Sequence, residues 1–121
     1  MASRRKEHQE DTKLRVLLII KQNPALTSRQ IAQKVGISNG SAFYLLTSLI
    51  DKGFIKLSNF KGSSQKLNYS YLLTPKGVRE KSLITTKFLK RKKIEYELLK
   101  KEITELEKDA GLHKNSLDVN I

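Results

Sequence analysis

The chain has 121 residues, of which 24 are Lys or Arg and 12 are Asp or Glu, giving a formal net charge of +12. It contains no Cys and only two histidines, His8 and His113, which excludes disulfides and thiolate sites and leaves no histidine-rich metal centre. The longest apolar run, residues 16–20, is far shorter than a membrane span of about 20 residues, and the N-terminus lacks the apolar stretch of a signal peptide. We therefore expect a single cytoplasmic domain without metal, cofactor or membrane contact, whose natural partner is a polyanion.

The first predicted helix rests on apolar residues at helical spacing. Leu14, Leu17 and Leu18 recur three and four residues apart, which predicts a helix over about residues 10–21 that ends before Pro24. The residues before it, 1–9, are expected to be a flexible basic N-terminus.

Two short capped helices are predicted next. Thr27 and Gln30 have the spacing of a capping box, and Gly36 is a typical helix end. Ser38 then caps a third helix, which ends near Lys52 before Gly53. The predicted inward-facing residues of this third helix are Ala42, Leu45, Leu46, Leu49 and Ile50.

After Gly53 the apolar residues no longer recur at helical spacing but occupy alternate positions. Residues 54–57 and 67–73 alternate apolar and polar side chains, which indicates two strands of a β-hairpin. The connecting residues, 58–66, are polar, contain no acidic residue and carry Lys61 and Lys66. The sequence therefore predicts a hairpin with a long basic tip, which must pack on the helices because an isolated hairpin is only marginally stable.

A long C-terminal helix is predicted from Thr74-Pro75, since proline is well accommodated at the first helical position. No breaker follows before Gly111, so this helix would be about 54 Å long, roughly twice the diameter of the preceding globule. We therefore predict a domain at residues 10–74, a dimerisation helix at 75–110 and a flexible tail at 111–121.

The distal part of this helix carries a heptad-like apolar seam typical of a coiled coil. Its members, the predicted dimer-interface residues, are Leu89, Tyr96, Leu99, Ile103 and Leu106. A second apolar set, predicted to widen this stripe, comprises Ile84, Phe88, Ile94 and Leu98. The seam favours a homodimer over a helix folded back on its own domain or paired with a different protein.

Three helices followed by a basic hairpin form the order of a winged helix-turn-helix. The fold class is therefore predicted to be mainly α with a small β-hairpin, followed by the long dimerisation helix. In such a domain the third helix enters the DNA major groove. Its candidate DNA-binding residues are Ser38, Asn39, Gly40, Ser41, Phe43, Tyr44, Thr47 and Ser48. The alternative is a polar helix surface on which the two aromatic side chains pack locally.

Basic residues outside this helix are candidates for phosphate contacts. Lys61 and Lys66 at the hairpin tip can lie over the DNA backbone or enter the minor groove, although a solvated loop is the alternative. Arg29 lies near the start of the second helix, where that helix would cross the phosphates. Such contacts add affinity that depends on salt and not on sequence.

Several segments resemble the MarR-type winged-helix regulators over roughly residues 10–105. They include Gly36-Ile37-Ser38, Lys52-Gly53-Phe54 and Thr74-Pro75-Lys76-Gly77. The compact length and the last of these segments are most similar to the small MarR-like regulators associated with bacterial exopolysaccharide gene clusters.

The resemblance implies a homodimeric transcription factor that binds a pseudo-palindromic operator. By position it implies groove-facing roles for Ser41, Phe43, Tyr44 and Ser48, and it assigns Lys61 and Lys66 to the wing. Two features differ: Tyr44 stands where these regulators usually have Arg, and Gln65 and Leu67 do not supply their usual Asp-x-Arg pair. Many such regulators bind a small phenolic or anionic effector, but no residue here marks that pocket.

Other classes of function have less support. Asp51 is the only acidic residue between Thr12 and Lys76, so the sequence offers no carboxylate pair for catalysis, and we expect no enzyme. The main alternative is a winged-helix module that binds RNA or an acidic protein. Tyr69 and Tyr71 resemble an aromatic platform for bases, but their alternation with polar residues favours packing in the core.

Overall fold

The described part of the chain contains four helices and one antiparallel hairpin, in the order that the sequence predicts. This computed structural model describes residues 2–59 and 69–111 of the chain. The elements are α1 (Ala2–Gln22), α2 (Ser28–Val35), α3 (Asn39–Asp51), β1 (Ile55–Asn59), β2 (Tyr69–Leu73) and α4 (Pro75–Asp109). The chain divides into two compact units, residues 1–86 and 87–121, and α4 contributes to both.

The first helix is longer than predicted. The structure begins α1 at Ala2, so the residues expected to form a flexible N-terminus from 1 to 9 are helical from the second residue onward. Residues 2–9 contain neither Gly nor Pro and are rich in Arg, Lys, Glu and Gln, which favour helix even where no apolar stripe exists. The helix start was predicted where the apolar stripe begins. Because the helix extends beyond this stripe, the prediction was wrong by about two turns.

The two predicted caps around the helix-turn-helix are confirmed. Thr27 Oγ1 accepts a hydrogen bond from the Gln30 amide, and the Gln30 side chain accepts one from the Thr27 amide. Gly36 ends α2 at φ 81°, a conformation that favours glycine, and Ser38 caps α3. Because both helix starts and the intervening turn are fixed locally, the orientation of α3 is defined by short-range contacts.

The core of the first unit combines side chains from all of its elements. Leu17, Ile31 and Leu49 are among the fully buried side chains, each contributing about 1.5–3 kcal/mol to stability relative to exposure. The predicted inner face of α3 is confirmed at Ala42, Leu46 and Leu49. Ile50 was wrongly assigned to this inner face. Its side chain is 38% exposed, because it lies at the edge of the stripe defined by Leu46 and Leu49.

The hairpin pairs β1 with β2 in antiparallel register, with Ile55 opposite Leu73 and Asn59 opposite Tyr69. The Tyr71 amide also donates to the Pro24 carbonyl at 3.2 Å, which ties β2 to the segment after α1. The hairpin tip with Lys61 and Lys66 lies outside the described residues.

The junction between the hairpin and α4 is closed by Thr74. Its hydroxyl donates to the Gly53 carbonyl and accepts from the Gly77 amide, while its own amide donates to the Phe54 carbonyl at 3.1 Å. Gly77 is buried here, and a Cβ built on it would lie 1.9 Å from the Phe54 carbonyl oxygen. The first turn of α4 can therefore approach the start of β1 only because residue 77 is glycine.

Candidate nucleic-acid interface

The outward face of α3 carries two exposed aromatic side chains. Tyr44 is 78% exposed and Phe43 is 67% exposed, although both lie in the middle of a helix whose other face is buried. Gly40, Ser41 and Thr47 are also exposed. This face can hydrogen-bond base edges through its hydroxyl groups and contact a thymine methyl through an aromatic ring.

Two of the predicted contact serines already have partners in the free protein. The Ser41 amide donates to Ser38 Oγ at 3.0 Å, and the Ser38 hydroxyl donates to Ser41 Oγ at 2.9 Å. Ser38 thus caps the helix, whereas the Ser41 hydroxyl still has its own proton to donate. Ser48 is half-buried, so it is less accessible than the other predicted residues of this face.

The helix itself supplies no positive charge. No Lys or Arg occurs between Asn39 and Asp51, so neutralisation of phosphates on either side of α3 must come from neighbouring elements. Arg29 is exposed in the first turn of α2.

An open groove separates α3 from the N-terminal half of α1. One wall includes Lys6, Gln9 and Glu10 of α1, and the other includes Gly40, Ser41, Tyr44 and Ser48, with Lys52 just after the end of α3. Lys6 and Lys52 were not among the candidates predicted from the sequence. The basic run Arg4-Arg5-Lys6 is visible in the sequence. Its place in the groove could not be predicted, because it depends on α1 beginning at Ala2 and lying across the groove from α3.

Two lysines make cation–π contacts with the ring of Phe54. Lys13 Nζ lies 4.6 Å and Lys76 Nζ 5.2 Å from the ring centroid. Lys13 Nζ also forms an ion pair with Glu80 Oε2 at 2.6 Å. Lys13 is therefore engaged within the domain, which links α1, the start of the hairpin and α4.

One of the two tyrosines considered as an aromatic platform is described in the structure. Tyr71 is partly buried, and its burial raises the pKa of the phenol because the ionised form would lose solvation. The ring of Tyr71 is therefore only partly covered, and the side chain of Tyr69 lies outside the described residues.

The second unit has an apolar surface on α4. The side chains of Leu89, Tyr96, Leu99, Ile103 and Leu106 are all exposed within the single chain. Ile94 and Leu98 are exposed as well, but at 100° per residue they lie about 150° from the centre of this seam. They therefore form a separate patch and do not widen the seam as predicted.

Neither a metal centre nor a membrane span is found in residues 2–59 and 69–111. This part of the chain holds no group of three or more His, Cys, Asp or Glu side chains placed to bind a metal ion. Within the same ranges, none of the helices combines the length and apolarity needed to cross a bilayer.

Comparison with a family model identifies the same domain. Residues 9–56 match the family described as winged helix-turn-helix DNA-binding, a match that covers less than half of the chain. The helices, turn and first strand in this range, with β2 completing the wing, give the chain a winged helix-turn-helix fold. No curated protein sequence matches the chain.

Three solved structures share this fold at low sequence identity. A point mutant of MepR from S. aureus is 18% identical with a TM-score of 0.61, over 88% of this chain and 85% of that chain. The transcriptional repressor CouR, solved bound to a 23-mer DNA duplex, is 22% identical with a TM-score of 0.63, over 77% of this chain and 65% of that one. MarR from Staphylococcus aureus, solved with salicylate and kanamycin, is 17% identical with a TM-score of 0.54, over 81% and 69%.

Proposed function

We propose that the protein is a sequence-specific, double-stranded DNA-binding transcriptional regulator of the MarR type that acts as a homodimer on a pseudo-palindromic operator. The observation that carries this proposal is the capped helix α3, which exposes Tyr44 and Phe43 on an uncharged face within a winged helix-turn-helix. Such a face suits base contacts in the major groove, while a chain of net charge +12 supplies the attraction to phosphates.

The proposed contact residues are those that the sequence predicted. Base contacts come from Asn39, Gly40, Ser41, Phe43, Tyr44, Thr47 and Ser48, with Ser38 as the cap that holds the helix start. Arg29 contacts the phosphates from α2, and Lys61 and Lys66 do so from the wing. The DNA-bound structure of CouR supports duplex DNA as the ligand of this fold.

The exposed seam of α4 supports the proposed homodimer. Five large apolar side chains along one side of a helix are unfavourable in water, and a second copy of the same seam covers them without requiring another protein. A dimer also places two copies of α3 on two half-sites about one turn of DNA apart. In this role the protein has no catalytic activity, and it works in the cytoplasm, where bacterial chromosomal DNA lies.

Binding to duplex DNA should weaken steeply with salt. A duplex selected from a random pool should bind at moderate salt more tightly than scrambled duplexes or single strands of the same sequence. Replacing Lys61 or Lys66 with Ala should reduce the slope of log affinity against log salt by about one unit for each phosphate that the lysine neutralises. Fluorescence anisotropy at several salt concentrations measures both quantities.

Equal affinity for every duplex would contradict this function. Preference for single strands would instead favour an RNA-binding module, and binding to neither nucleic acid would favour an acidic protein partner. Control of exopolysaccharide genes, which the sequence resemblance suggests, is tested by whether the selected operator occurs upstream of such genes.

Replacing Tyr44 with Ala should change base preference. If the Tyr44 hydroxyl or ring contacts a base, discrimination at that position should fall by roughly 1–3 kcal/mol. The melting temperature should change little, because the side chain is 78% exposed. Repeating the selection with the variant measures the preference, and circular dichroism measures the melting temperature. A large loss of stability with unchanged preference would assign Tyr44 to packing.

A further inference from the structure

We infer that the groove between α1 and α3 is a second phosphate-binding surface, in which Lys6 and Lys52 hold the DNA backbone beside the major groove. This inference rests on the proposed duplex-binding function and adds two cations that lie outside both α3 and the wing, one on α1 and one just after the end of α3. Its ligand is the phosphodiester backbone.

The exposed face of α3 cannot neutralise phosphates by itself. It presents hydroxyl and aromatic groups but no Lys or Arg. A helix inserted into the major groove is flanked on both sides by phosphates, whose counterions are released only where protein cations replace them. The cations must therefore lie on the elements beside α3.

The groove lies directly beside the predicted base contacts. Lys6 and Gln9 are on its α1 wall, and the opposite wall contains Ser41, Tyr44 and Ser48. A backbone running along the edge of the major groove would thus meet α1 next to α3. Lys6 and Lys52 are both exposed, and each has a side chain long enough to reach a phosphate oxygen.

The remaining charged groups of the groove differ in their availability and sign. Lys13 also lines the groove, but its ammonium group pairs with Glu80 at 2.6 Å and lies over the Phe54 ring. Glu10 lines the groove as well and places a negative charge near the expected phosphate path. The surface therefore has two attractive positions, Lys6 and Lys52, and one repulsive position, Glu10.

Matched substitutions on α1 test this arrangement. Arg4 is exposed on α1 but does not line the groove, and at 100° per residue it points about 170° away from the side shared by Lys6 and Gln9. Lys6→Gln and Arg4→Gln remove the same charge from the same helix, so a difference between them reports position and not net charge. Glu10→Gln changes the groove in the opposite direction.

The measurement is affinity for the selected duplex over a range of salt. Lys6→Gln and Lys52→Gln should each reduce the salt slope by about 0.9 for every phosphate that is no longer neutralised, and hence by about 1.8 for a dimer on a full operator. Arg4→Gln should leave the slope unchanged, and Glu10→Gln should tighten binding. Circular dichroism verifies that each variant is folded.

The outcomes distinguish this inference from the proposed function. If the wild type binds duplex DNA specifically but Lys6→Gln behaves like Arg4→Gln, the groove does not contact phosphates and the inference is overturned. If the wild type does not bind duplex DNA, the proposed function fails and this inference fails with it. A shallower slope in Lys6→Gln together with tighter binding by Glu10→Gln supports the groove as the phosphate surface.

Discussion

Replacing Gly77 with Ala should lower the melting temperature by about 10 °C or more. The added Cβ would lie 1.9 Å from the Phe54 carbonyl oxygen and 2.9 Å from the carbonyl carbon, both of which are backbone atoms. A backbone contact cannot be relieved by rotating a side chain, so α4 must move away from the start of β1. Overpacking of this kind costs about 3 kcal/mol, and each kcal/mol corresponds to roughly 4–8 °C in a small domain.

Gly40→Ala is the matched control for this substitution. Gly40 also lies in a helix, but a Cβ built on it meets no atom within 4 Å. Alanine is the better helix former, so this variant should be as stable as the wild type or more stable by up to about 1 kcal/mol. Thermal unfolding followed by circular dichroism compares the two, and equal melting temperatures would show that α4 does not approach Phe54 this closely.

Placing two aspartates in the α4 seam should convert the proposed homodimer to a folded monomer. Leu99→Asp combined with Ile103→Asp would put unpaired carboxylates into an apolar interface, where burial of each charge costs several kcal/mol. Both side chains are about half exposed in the single chain, so the fold of each protomer should persist. Sedimentation should report a monomer, and cooperative binding to a full operator should disappear while weak half-site binding remains.

The chain offers a matched pair of apolar residues for comparison. Ile94 and Leu98 have the same spacing as Leu99 and Ile103 and are comparably exposed, at 55% and 64%, but lie on the far side of α4. Ile94→Asp combined with Leu98→Asp should therefore leave the dimer intact. Dissociation by both double variants would refute a seam confined to one side, and a wild type that is monomeric at micromolar concentration would refute the dimer itself.

Local interactions explain why most of the fold could be predicted from the sequence. The capping box at Thr27 and Gln30, the cap at Ser38 and the Thr74-Pro75 start involve residues at most three positions apart. Such signals need no knowledge of tertiary packing. The alternating pattern located the two strands of the hairpin, but it did not identify their buried side, because Ser70 is buried whereas Leu57 is 46% exposed.

Features that depend on distant residues could not be predicted in this way. Gly77 belongs to a segment that resembles the MarR-type regulators, but its contact with Phe54 joins two residues 23 positions apart. The groove beside α3 required both the true start of α1 and its position across the groove from α3. The exposed face of α3 was predicted, because the positions opposite an apolar stripe must point outward, whereas the binding partners of its residues are still proposals.

Because hydrogen bonds close the base of the hairpin, the length of its connecting segment has little effect on the stability of the domain. Thr74 bonds to Gly53 and Phe54 on the side opposite that segment, and the strands pair from Ile55 to Asn59. Because closing a longer loop costs only about 0.6 kcal/mol for each doubling of its length, residues can be inserted between positions 59 and 69 with little penalty. The reach of the proposed wing towards DNA can thus change with the length of this segment, without altering the helices.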